Sequence, residues 1–293
     1  MSVCRLCPRM CAVDRAAGER GFCGQGDEIV IARAAPHYGE EPCISGEFGS
    51  GTVFFSGCNM RCVFCQNREI SRGGVGKAVS VSRLAEIFDE LQEMNVHNLN
   101  LVTPTHFADK IAQALKISRP KIPVVWNSSG YESVETLRML EGLVQVYMPD
   151  LKYSSAAAAG RYSKAPDYPQ IAKAAILEMY RQTGSCVMDE NGLLKSGVLI
   201  RHLIMPGRLD DAFDVIDWIA ESFPQNSVLL SLMSQFTPLA DKRRYPELSR
   251  TLTSEEYDRA KSYLMLSGIE NGYFQELCSA TDEMIPSFDG TGT

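Results

Sequence analysis

The chain has 293 residues, 45% of them apolar, enough for one large domain with a small appendage and a substantial core. Its 29 basic and 36 acidic residues leave a net charge of −7, which argues against broad binding to a nucleic-acid backbone, a local basic patch aside. No run of about 18 uncharged apolar residues predicts a membrane helix, and Met1-Ser2-Val3-Cys4-Arg5 lacks the apolar region of a signal peptide.

Ten cysteines in such a chain suggest metal binding in a reducing cytoplasm rather than disulfides. Eight lie before residue 66. The first block runs from Cys4 to about Ser50 and is rich in Gly, Arg and Cys. It shows little helical or strand periodicity, so something other than a core is expected to order it. Cys4, Cys7, Cys11 and Cys23 have spacings that suit a structural zinc clip or a second iron–sulfur cluster, and spacing does not choose between them. Cys43 is a substitute ligand. Cys186 and Cys278 are expected to be small core residues or inert thiols.

From residue 52 onward, strand and helix patterns alternate. The expected strands are Thr52–Ser56, Leu99–Thr103, Ile122–Trp126, Val144–Met148, Val198–Ile204 and Val228–Leu232. The first helix has Ser82 as candidate N-cap and a stripe of Leu84, Ile87, Phe88, Leu91 and Met94. Others follow Thr105 and Ser133, run from about Pro169 to Gln182 before Gly184, start near Asp210, and span about Ser254 to Leu266. Six βα units imply a parallel sheet with helices outside, too few for a closed eight-stranded barrel. The fold class is therefore α/β, an open partial (β/α)6 TIM-type barrel with a Cys-rich N-terminal extension. Its divisions are a metal-binding segment at 1–50, the barrel at 51–280 and a loose tail at 281–293, with ligands at the strands' C-terminal ends.

The first strand runs into Ser56-Gly57-Cys58-Asn59-Met60-Arg61-Cys62-Val63-Phe64-Cys65-Gln66-Asn67. Three thiolates on one short loop can hold three irons of a 4Fe–4S cluster and leave the fourth open to a small molecule, whereas an electron-transfer ferredoxin closes that site with a fourth cysteine. The alternative is a structural zinc site completed by a cysteine elsewhere. Arg61 and the pair Asn67-Arg68 are either part of the site or solvated. Gly73-Gly74-Val75-Gly76 is either a lid or a plain connector.

The C-x3-C-x2-C loop, with Phe64 just before its last cysteine, resembles the radical S-adenosylmethionine superfamily. Within it, Asp150-Leu151-Lys152 after the fourth strand resembles the Asp-Leu-Lys of glycyl-radical-enzyme activating enzymes. The N-terminal cysteine pattern is similar to that of the pyruvate formate-lyase activator-like subgroup. The resemblance spans roughly residues 50–240 and implies that Cys58, Cys62 and Cys65 hold a 4Fe–4S cluster binding S-adenosylmethionine. It implies that Asp150 and Lys152 take the ribose hydroxyls and methionine carboxylate, a sensible match of acceptor to hydroxyls and ammonium to carboxylate. Phe64, Gln66, Asn127 and Arg201 also fall on cofactor-contacting stretches, and Gln235 stands roughly where the family has an adenosine-contacting histidine.

Two departures stand out. Thr103-Pro104-Thr105-His106 replaces the activators' Gly-Gly-Glu; Thr105 could still offer a hydroxyl to the cofactor's amino group, and His106 is either new to the site or a packing residue. Asn127 replaces an aspartate, which weakens the case for the family's monovalent-cation site. The implied chemistry is reductive cleavage to methionine and a 5′-deoxyadenosyl radical, with electrons from a flavodoxin- or ferredoxin-type reductant. The hydrogen atom would come from a glycine of a partner glycyl radical enzyme or, alternatively, from a small molecule or peptide. A non-catalytic iron–sulfur electron carrier is the third candidate, and the missing fourth cysteine counts against it.

Overall fold

The protein is described by a computed structural model over residues 3–277 and 286–293. Its strands are β1 (Ile29–His37), β2 (Ser50–Phe55), β3 (Lys77–Val79), β4 (Leu99–Val102), β5 (Val124–Ser128), β6 (Val146–Pro149), β7 (Val187–Met188), β8 (Leu194–Leu203), β9 (Leu229–Met233) and β10 (Gly272–Phe274). Its helices are α1 (Pro42–Ser45), α2 (Arg68–Arg72), α3 (Val81–Glu93), α4 (Ala108–Ser118), α5 (Val134–Met139), α6 (Ala156–Ser163), α7 (Tyr168–Thr183), α8 (Leu209–Ser222) and α9 (Ser254–Leu266).

All six expected strands are present, and they pair in parallel in the order β2-β4-β5-β6-β8-β9. β10 adds a short seventh parallel strand beyond β9. At the other edge β1 runs antiparallel to β2, and β3 to β1. Among the described residues the two edges are not joined, so the barrel is partial and open. Ser80 rather than Ser82 caps α3, accepting from the Arg83 N–H at 3.0 Å. Met94, expected on the buried stripe of α3, is 56% exposed because the helix ends one residue before it.

β1 has no counterpart among the sequence expectations. Ile29 and Ile31 are buried in the main core, but the register shifts between Ile31 and Arg33 and breaks the period-two pattern that betrays a strand. The second half of the N-terminal block is thus ordered by the sheet. The last eight residues are not a loose tail either. Thr291 accepts from the Ala34 N–H, Gly290 donates to the Ala32 carbonyl, and Phe288 stands edge-on to Phe54.

Alternation along the strands builds the interior in layers. Val198, Ile200, Leu230 and Leu232 face outward into the core shared with the helices. At the N-terminal ends of the strands, Val125, Val146, Leu199 and Leu229 face inward and pack on Cys43 and Ile44 of α1, which plugs that end of the barrel. Polar side chains also face inward: Asn100, Asn127 and Arg201 meet Glu40, and Ser231 lies beside Glu41. Asp150 and Lys152 follow β6 at the open, C-terminal end.

Candidate active site

The three-cysteine loop leaves β2 through Gly57, whose φ of +84° and close neighbours suit a residue without a Cβ. Its N–H is bonded to the Ile70 carbonyl of α2, which folds the loop back on itself. Each sulfur has a polar neighbour. The Met60 N–H donates to Cys58 Sγ at 3.3 Å, the Ser163 hydroxyl to Cys62 Sγ at 3.0 Å, and Ser71 Oγ lies 3.5 Å from Cys65 Sγ. Such hydrogen bonds orient thiolate ligands and tune a cluster. Burial pushes the Cys58 thiol up to about 12, with Cys62 adding to the rise, so ionising it calls for a cation such as iron. Among the described residues no three thiol, imidazole or carboxylate groups close on a single-ion position.

A cavity of about 380 Å³ opens beside Cys62 and Cys65 and runs inward to Glu40 and Glu41. That volume is in the range of small-molecule sites. On its wall the Lys152 ammonium lies 2.5 Å from Asp150 Oδ2, and Arg201 Nε donates to Asp150 Oδ1 at 3.1 Å. Arg201 also donates to Glu40 Oε2 at 3.2 Å and to Asn127 Oδ1 at 2.7 Å. Burial by itself would raise the Asp150 carboxyl, but Lys152 and Arg201 hold it below the usual carboxylate range. Burial opposes charge on Lys152 as well, and Asp150 and Cys62 outweigh it and raise its pKa. Both groups therefore stay charged, held against each other in the cavity wall.

Phe64, Gln66 and Gln235 line the same cavity. Phe64 is buried with its ring centroid 5.7 Å from that of Phe236, and the Gln66 amide faces Thr237. Asn67 lines the cavity too. Thr105 does not: it is buried, and its hydroxyl donates to Glu132 Oε1 at 2.6 Å. His106 is likewise buried, with Nε2 donating to the Ser56 carbonyl at 2.7 Å, and burial lowers its pKa to about 4. It packs beneath the loop as a neutral imidazole. Three residues before it, the β-branched Thr103 adopts φ +57°, a backbone form that favours glycine. Gly73–Gly76 links α2 to β3, and Ser56 Oγ donates to the Val75 carbonyl within it.

The N-terminal cysteines form a cap on the loops at the strands' C-terminal ends. Cys7 and Cys23 are buried, and burial pushes Cys7 up to about 12, with Cys23, Cys11 and Cys4 near enough to add to the rise. The Phe22 N–H donates to Cys11 Sγ at 3.2 Å and Arg15 to Cys23 Sγ at 3.3 Å. Arg9 stacks over Phe22 and Tyr131 and donates to the Asn59 carbonyl. Arg61 is partly buried and donates to the Phe22 carbonyl at 2.6 Å. Cys43 cannot join this set, because it sits in the plug at the opposite end of the barrel. Cys186 packs against that same cluster, and Cys278 lies outside the described residues.

Glu40, Glu41, Ser231 and Gln275 also line the cavity, and none was expected from sequence. The only cue was an acid pair, Glu40-Glu41, before the short apolar run of α1. A profile described as the radical SAM superfamily matches residues 52–183. The uncharacterized protein MJ0674 of Methanocaldococcus jannaschii is 33% identical over 267 residues, covering 88% of this chain and 72% of that protein.

Proposed function

The chain belongs to the radical S-adenosylmethionine superfamily, and we propose that it cleaves S-adenosylmethionine reductively and abstracts a hydrogen atom from a substrate held inside the barrel. One observation carries this: two thiols of the three-cysteine loop and the Asp150–Lys152 pair line one cavity. When bound, a 4Fe–4S cluster supplies the electron that splits the cofactor into methionine and a 5′-deoxyadenosyl radical, which takes the hydrogen atom. Cys58, Cys62 and Cys65 would hold that cluster. Lys152 would pair with the methionine carboxylate, and Asp150, steadied by Arg201, would accept from ribose hydroxyls. Phe64 and Phe236 exclude water from the wall beside them.

The geometry favours direct modification of a small molecule or peptide, because the cavity continues past this pair to polar groups at the plugged end. A partner glycyl radical enzyme as hydrogen donor is supported by the Asp150-Leu151-Lys152 match and the Arg201 strand alone. Flavodoxin- or ferredoxin-type proteins are the proposed reductants, in a cytoplasm reducing enough to keep an open cluster intact. A second metal centre is proposed at Cys4, Cys7, Cys11 and Cys23: zinc would make it a structural clip, an iron–sulfur cluster a relay.

The test is anaerobic reconstitution followed by dithionite. The wild type should bind S-adenosylmethionine, change its electron resonance spectrum and form 5′-deoxyadenosine slowly without substrate. Cys62→Ala should form none while keeping its fold. A fully loaded wild type that neither binds the cofactor nor cleaves it would refute the proposal.

A further inference from the structure

The plugged end of the cavity carries one carboxylate too many. Asp150 and Glu40 are matched by Lys152 and Arg201. Glu41 makes no ion pair among the described residues, is 7% exposed, and its Oε2 has no hydrogen-bond partner. Burial raises the Glu41 carboxyl, and Arg201 and Ser231 only partly offset the rise; Ser231 is itself fully buried, and its Oγ has no partner of ordinary hydrogen-bond geometry. Gln275 Oε1, from the segment after β10, is also buried without a partner. All three residues line the cavity. Buried acceptors of this kind are costly unless something donates to them, and Arg201, already paired with Asp150 and Glu40, makes no ion pair with Glu41.

We propose that Glu41, Ser231 and Gln275 form a recognition subsite for a cationic hydrogen-bond donor, a primary ammonium or guanidinium group of the substrate. An ammonium brings three N–H donors to three waiting acceptors, and its charge balances the surplus carboxylate. In the proposed function the cofactor's carboxylate would be held nearer the mouth, by Lys152, which leaves Glu41, Ser231 and Gln275 to the substrate. The inference rests on the cavity holding a substrate for hydrogen abstraction, and it fixes which end of that substrate points inward. The reacting carbon then lies toward the three-cysteine loop, on the far side of the molecule from its cationic group.

The test uses cluster-reconstituted protein and ligand-observed NMR titration with n-propylammonium, n-propylguanidinium and neutral n-propanol. One or both cations should bind and the alcohol should not. Glu41→Gln should weaken cation binding at least tenfold, and Ser231→Ala should weaken it less. Saturating S-adenosylmethionine should leave the cation bound. A blocked lysine tripeptide separates two sources of the same chemistry: tighter binding than n-propylammonium marks a peptide side chain, weaker binding a free amine. Equal binding of the alcohol, unchanged affinity in Glu41→Gln, or one-for-one displacement by S-adenosylmethionine would each overturn the subsite. Assaying 5′-deoxyadenosine in the same samples keeps that failure separate from failure of the radical chemistry.

Discussion

The backbone carbonyl of Cys23 packs directly against Gly57, so the N-terminal cap meets the three-cysteine loop main chain to main chain. A Cβ on Gly57 would stand 2.8 Å from that oxygen and 2.5 Å from the Gln25 side chain. Gly57→Ala should therefore cost about 1–3 kcal/mol from overpacking, beyond the strain of a positive φ. Gly18→Ala is the control, since Gly18 has φ +86° but nothing within 4 Å of its Cβ position. Denaturant midpoints should fall clearly further for Gly57→Ala than for Gly18→Ala. Equal losses would mean that the contact yields freely.

The proposed cofactor contacts are Asp150 and Lys152. Asp150→Asn and Lys152→Ala should each weaken S-adenosylmethionine binding roughly ten- to a hundredfold, the loss of a charge-assisted hydrogen bond worth about 1.5–3 kcal/mol. Iron content should not change, because neither side chain is a ligand. Equilibrium binding with parallel iron analysis checks both points.

A variant lacking Cys58, Cys62 and Cys65 isolates the N-terminal cysteines. Purified without oxygen, it should retain about one zinc or a few irons per chain. Zinc would identify a clip, and iron with inorganic sulfide a relay. If neither is retained, and a Cys4/Cys7 double mutant of the full site folds and cleaves the cofactor normally, the cap holds no metal.

Glu132 gives a pH signature. Burial raises its carboxyl from 4.5 to about 7, against bonds from Thr105, Ser128 and Trp126. The folded state then holds this proton more tightly than the unfolded state does. Its contribution is full below pH 4.5 and is lost as pH rises toward 7, a linkage of about 3 kcal/mol. His106 acts in the opposite sense, since burial keeps it neutral and folding is penalised as pH falls from 6.5 toward 4. The difference between wild type and Glu132→Gln therefore isolates the carboxyl. Urea unfolding should show that difference shifting in favour of the variant between pH 5 and pH 7.5, and a flat difference would contradict the assignment.

Much of this was legible because the signals were local. The strand before Cys58, the loop spacing and the Asp150-Leu151-Lys152 triplet each lie within a few consecutive residues, and the parallel strands are apolar runs because both faces are buried. What escaped depended on distant partners. The bulge after Ile31 hid β1, the three-residue β10 is too short to show a period, and α6 begins in a run of alanines that marks no face. Glu40 and Glu41 are nearly 90 residues or more before Asn127, Arg201 and Ser231 in sequence and meet them only because α1 enters the barrel from below. Thr105 carried the right chemistry at the right loop, yet the fold gave its hydroxyl to Glu132.

The layered interior has an evolutionary consequence. In β8 Arg201 points into the cavity, while His202 beside it is buried on the outer face with Nδ1 against the Leu151 carbonyl. Deleting one residue between Gly197 and Arg201 would bring His202 into the position of Arg201, removing the guanidinium that three other groups depend on and leaving an imidazole in its place, and inserting one would put Ile200 there. The turn at Asp189–Gly192 lies outside this constraint, because an extra residue there lengthens a surface hairpin without turning any side chain over. Length variation among descendants of this chain should therefore collect in such turns, while the strands diverge only by substitution.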